Sequence, residues 1–111
     1  MLIGSRLLKL KLGSGHRDLQ VRLFVPEKGE SDWSCRYEID WPEGLRESAA
    51  YGIDAIQALH LALQKIGVDL YASDHHKTGT LMWEKTGSGY GFPVPKNLRD
   101  MLVGDDQRFD G

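Results

Sequence analysis

Asp74-His75-His76 is the run best equipped for metal chemistry, since it puts a carboxylate beside two imidazoles. Metal sites gain affinity when ligands converge with little reorganisation, as in H-E-x-x-H on a helix or paired C-x-x-C turns. Neither spacing occurs in the chain. Asp74, His75 and His76 therefore form a metal site only if the fold brings His16 or another carboxylate to them. A solvated loop accounts for them without a ligand.

Nucleophilic catalysis has less support. Cys35 alternates in register with Trp33 and Tyr37, the parity of a buried strand face, which suits a small core hydrophobe better than a reactive thiolate. The serines lack the G-x-S-x-G setting, and Ser73 and Asp74 beside a histidine are residue types without the geometry that defines a triad. The Gly87-Ser88-Gly89-Tyr90-Gly91-Phe92 run resembles a phosphate cradle only in its glycines. It leads into Phe92-Pro93-Val94-Pro95, which cannot open a helix towards an anion, and it has no P-loop lysine. The expectation is a hairpin or mobile loop; if it binds a ligand or partner, Tyr90 and Phe92 are its exposed aromatic contacts. No cofactor is implied.

Composition narrows the classes further. The chain has 111 residues, 41% hydrophobic and 27% charged, enough for one core and too short for two. No stretch has the ~20 apolar residues of a membrane span. The opening MLIGSRLLKLKL has its cations inside the apolar run, unlike a signal peptide. A single cysteine excludes an internal disulfide framework and suits a reducing compartment, so a cytoplasmic location is expected. Charge is uneven: residues 1–25 hold five cations against Asp18, so with −2 overall the remainder carries −6. Residues 104–111, Gly- and Asp-rich, read as an acidic flexible tail behind a single domain over 1–103.

The elements follow from periodicity. Trp33-Ser34-Cys35-Arg36-Tyr37-Glu38-Ile39-Asp40-Trp41 alternates apolar and polar side chains without a break, predicting a strand with one buried face. Leu8, Leu10, Leu12 and then Val21, Leu23, Val25 do the same, with turn-rich residues 13–18 and 26–32 between them. This predicts a three-stranded antiparallel meander. Pro42 and Gly44 end its third strand. DAIQALHLALQKI (Asp54–Ile66) is helical, with Asp54 and Gln57 at capping-box spacing. Ile56, Leu59, Leu63 and Ile66 form its apolar stripe, and Gly67 falls where a left-handed cap would end it. Ser73–Gly79 reads as a loop, Thr80–Glu84 as a fourth strand, and residues 97–103 as compatible with a short C-terminal helix. The expected fold is α+β: an antiparallel four-stranded sheet, meander plus one strand, with one long helix on its apolar face.

A binding role is the reading that remains. The sheet's polar face should carry Lys9, Lys11, Arg22 and Arg36. Single-strand nucleic-acid readers place aromatics on that same face, but here the aromatics have the opposite parity and Glu38 and Asp40 share the basic face. Cross-strand ion pairs explain the cations, so nucleic acid is not the expected partner. Three tryptophans exceed what so small a core needs. Trp41, Trp83, Tyr90 and Phe92 are accordingly candidate contacts for a second copy or another protein. The sequence therefore predicts a non-catalytic protein-interaction module, forming a homodimer. The alternative is a metal-dependent or small-ligand-binding protein using the 74–76 and 87–92 loops.

Trp33-x-Cys35-x-Tyr37-x-Ile39, then Gly52-x-Asp54-Ala55-x-Gln57-Ala58-Leu59-x-Leu61-Ala62-Leu63, then Gly91-Phe92-Pro93 resemble a family of small bacterial proteins that share an uncharacterised domain. The likeness spans roughly residues 20–95. It implies a bacterial origin and brings no catalytic residue with it. The strand–strand–strand–helix order with Gly-x-Asp-x-x-Gln-Ala is also similar to HicB-like antitoxins, which implies a toxin-neutralising role. Those proteins usually have Glu where this chain has Gln57, and a more acidic opening.

Overall fold

The computed structural model describes residues 1–83 and 89–95. The C-terminal helix expected over 97–103, the tail 104–111, and Gly87 and Ser88 of the glycine run lie outside them.

The expected meander is present. Strand β1 (Leu2–Leu12) pairs with β2 (Gly15–Phe24), and β2 with β4 (Trp33–Trp41), all antiparallel. The β1–β2 hairpin closes on Gly13-Ser14, and Gly13 takes the positive φ of 56° that primed hairpin turns require. A fourth strand also forms where expected: β6 (Leu81–Met82) pairs with β1.

The sheet nevertheless has six strands among the described residues, not four. The two-residue β3 (Glu27–Lys28) lies in a segment expected to be turn. The larger difference is β5 (Gly44–Gly52), nine residues that pair with β4 along its whole length. Its alternation is hidden because its inward side chains are small, Ser48, Ala50 and Gly52, so no apolar period shows. The third strand of the meander, β4, does end at Pro42, as expected, but the chain turns straight back into the sheet through Pro42 and Glu43. They make the two-residue turn between β4 and β5.

Helix α1 runs over Ala55–Ala72, well past the expected end at Ile66. Its start matches the sequence reading: the Asp54 carboxylate accepts from Gln57 N–H at 2.8 Å, and the Gln57 amide oxygen accepts from Ile53 N–H at 2.7 Å. The buried face is rotated from the expected stripe. Ile56 is 79% exposed, and Ala58, Ala62, Ile66 and Leu70 are buried, with Leu59 and Leu63 half-buried. Small alanines bring the rod close to the sheet. Gly52 shows how close: a Cβ there would lie 2.6 Å from Ala58 N.

Gly67 is not a cap. It is buried within α1, where a Cβ would lie 2.0 Å from the Pro93 carbonyl oxygen. The glycine lets residues 89–95 cross the helix and close the core with Tyr90, Phe92 and Val94. Arg6 holds that segment from the other side, donating to the Tyr90 and Gly91 carbonyls at 3.1 and 2.9 Å. Cys35, Tyr37, Ile39 and Trp41 all face inward as their parity required. No helix among the described residues is long and apolar enough to cross a membrane.

Candidate functional site

The chemistry-bearing residues gather where α1 ends. Ser73 adopts an extended backbone, φ −70° and ψ 151°, and breaks the helix. Its hydroxyl then serves both neighbours: it donates to the Leu70 carbonyl at 2.7 Å and accepts from His76 N–H at 3.1 Å. The segment expected to be a loop thus opens with a short helix, α2 (Asp74–Lys77), capped by Ser73.

Consecutive helical side chains project roughly 100° apart. His75 and His76 therefore point to different surroundings. His75 stacks on Trp41, ring centroids 5.3 Å apart and planes 14° apart, with Nε2 3.1 Å from the Glu43 carboxylate. His76 turns inward, packs edge-on against Tyr71 at 4.8 Å, and shares a hydrogen bond between Nδ1 and the Tyr90 hydroxyl. Burial lowers its pKa below the usual imidazole value, so it is neutral at pH 7. Asp74, His75 and His76 do not converge, and no group of three His, Cys, Asp or Glu among the described residues is placed to hold a metal ion.

Outside α2 lies an open cleft of about 730 Å³ between the β4–β5 turn and the end of α1. Trp41, Glu43 and Arg46 form one wall, Asp69 and Ala72 another, Asp74 and His75 the third. At its base the Asp69 carboxylate accepts from the Tyr37 hydroxyl and from Arg46 Nε, the latter at 2.7 Å. Burial, with the Asp69 hydrogen bond and charge behind it, pushes the Tyr37 pKa up to about 12. The same carboxylate raises that of Arg46. Tyr37 is thus a fixed donor, and Asp69 is held by two elements at once.

Glu43, Arg46 and Asp69 escaped the sequence reading. The first two sit in and after a turn expected only to end the third strand, and Asp69 lies beyond the expected helix end. One signal was available: Ile66 and Leu70 extend the Ala58–Ala62 spacing of four past Gly67.

The four aromatics expected as surface contacts are placed differently. Trp41 is 8% exposed beneath His75, and Tyr90 and Phe92 are 4% and 6% exposed. They form part of the core, so the exposed glycine-loop contacts expected of Tyr90 and Phe92 do not arise. Trp83 is half-buried, with the Arg6 guanidinium 4.2 Å from its ring centroid and 4.7 Å from that of Phe92. Cys35 is fully buried and donates to the Phe24 carbonyl; burial raises its pKa. On the outer face Arg22 pairs with Glu38 at 2.8 Å, Lys9 lies opposite Asp18, and Arg36 covers the Phe24 ring. Arg22 and Arg36 thus have partners within the sheet.

A family model described as a domain of unknown function, DUF6968, matches residues 4–94. No curated protein and no solved structure matches the chain. The matched span runs from β1 through the segment that closes the core over Gly67, and includes every residue of the cleft; the chain belongs to the DUF6968 family.

Proposed function

We propose that the chain is a non-catalytic protein-interaction module whose cleft receives a basic side chain of a partner protein. The observation that carries this reading is the cleft's charge. Glu43, Asp69 and Asp74 stand around it against one guanidinium, Arg46, which is already engaged by Asp69. The C-terminal end of α1 lies at the same place, and its helix dipole adds negative potential. The stacked Trp41 and His75 rings give a flat, rigid wall for the aliphatic stem of a lysine or arginine. A toxin protein, as the antitoxin likeness implies for a bacterial chain, is one partner of this kind.

Titration of the full chain with tetra-arginine and tetraglutamate peptides, followed by amide NMR, tests this. The basic peptide should shift the amides of residues 41–46 and 69–75 and lose affinity as salt rises. Binding should weaken in the Glu43→Gln/Asp74→Asn variant. Each exposed pair is worth about 0.5–1 kcal/mol, so the double change should cost about five- to thirtyfold. Equal binding of the acidic peptide, or shifts elsewhere on the surface, refutes the reading. The same titration with free arginine separates a small-molecule site from a protein one: a peptide site binds the tetramer much more tightly.

A further inference from the structure

Among the described residues one edge of strand β5 has no strand partner, and a different set of residues from those of the cleft describes what closes it. Among the described residues β4 is its only strand partner. Backbone groups of successive residues in an antiparallel strand point to opposite edges. The two-residue Pro42-Glu43 turn makes Trp41 and Gly44 a hydrogen-bonded pair. The even residues of β5 therefore bond β4, and Leu45, Glu47, Ala49 and Tyr51 direct their N–H and C=O outward. The Ala49 carbonyl agrees, since it is taken at 2.8 Å not by a strand but by Lys65 Nζ from α1.

We propose that a second copy of this chain pairs with β5, antiparallel, about a two-fold axis at Ser48. The register follows from the side chains. Two-fold pairing joins residues of like parity, so neighbouring registers differ by one residue in the position of the axis. An axis at Glu47 sets two carboxylates opposite each other, which is destabilising. An axis at Ala49 sets Glu47 against Tyr51 and leaves Leu45 facing a residue beyond the strand. An axis at Ser48 sets Leu45 against Tyr51 of the second copy, twice, and Glu47 against Ala49. Leu45 and Tyr51 are 49% and 61% exposed in the single chain. Beside the edge, a groove of about 470 Å³ lined by Tyr51, Leu61, Val68 and Pro95 is predominantly apolar. Its α1 side would meet its counterpart across the axis. Lys65 guards the edge, as lysines on exposed strands commonly do; association requires it to release the Ala49 carbonyl, and it can keep its bond to Ser48 Oγ.

The test is sedimentation of the full chain from micromolar to millimolar concentration, with variants chosen to leave the monomer fold intact. The wild type should associate as a dimer at the upper end. Lys65→Met, which removes the guard, should lower the dissociation constant by about thirtyfold, the worth of one released hydrogen bond in each copy. Leu45→Lys/Tyr51→Lys sets ammonium groups opposite each other and should stay monomeric. Ser48 falls at a non-hydrogen-bonded pair, where Cα atoms approach ~4.5 Å, within disulfide range. Ser48→Cys in a Cys35→Ala background should therefore cross-link on oxidation, with far-UV circular dichroism confirming the fold. A wild type that stays monomeric at millimolar concentration overturns the proposal. So does a dimer that survives Leu45→Lys/Tyr51→Lys, or one in which Ser48→Cys fails to cross-link.

Discussion

Replacing Gly67 by alanine gives the sharpest check on how this core is assembled, because two effects of opposite sign compete there. In an ordinary helix interior, Gly→Ala is favourable by about 1 kcal/mol. At residue 67 the new methyl would lie 2.0 Å from the Pro93 carbonyl oxygen and 3.0 Å from its carbon. Both are backbone atoms, so no side chain can swing away. The 89–95 segment must retreat by more than an ångström, and it carries Tyr90, Phe92 and Val94. A small-to-large change in a packed core costs about 1–3 kcal/mol, and exposing Phe92 and Val94 outright would cost about 1.5–3 kcal/mol each. The retreat also strains the two bonds from Arg6 to the Tyr90 and Gly91 carbonyls. The steric cost exceeds the helix gain, and the net expectation is a loss of about 2 kcal/mol. Urea unfolding followed by tryptophan fluorescence measures it, with Ile56→Ala as a control on the exposed face of the same helix. Stability equal to or above wild type in Gly67→Ala would refute the crossing of α1 by residues 89–95.

The Tyr37–Asp69 bond should be visible in the alkaline range. The Tyr37 pKa is raised to about 12, so its contribution is intact below pH 10 and is lost as pH rises through 12; near-ultraviolet titration of Tyr37→Phe should lack that late phase, and the variant should lose about 2 kcal/mol at pH 7. His76 acts in the opposite sense. Its folded pKa is depressed, so the unfolded chain binds protons more readily, and stability is lost as pH falls below about 6.5 towards the folded value, then levels off. In His76→Gln the difference in urea midpoint between pH 7 and pH 5 should be smaller than in the wild type; an unchanged slope would show that His76 is not the group responsible.

Local rules carried a large part of this fold. The uninterrupted alternation from Trp33 to Trp41 determines which side chains face inward, because strand side chains alternate whatever the partner. Asp54 and Gln57 determine where α1 starts, since capping is a contact across three or four residues. Three things were decided only by long-range packing. Strand β5 has no apolar period of its own, and it is a strand because β4 offers nine residues of backbone and α1 needs small side chains beneath it. Gly67, which local rules place at a helix end, is interior because the Pro93 carbonyl rests on it. The cleft joins residues 41–46 to residues 69–75, and neither stretch contains the information that Arg46 and Tyr37 would meet on one Asp69 oxygen. Periodicity and capping are properties of neighbours in the chain; a charge site made by two elements exists only once both have docked.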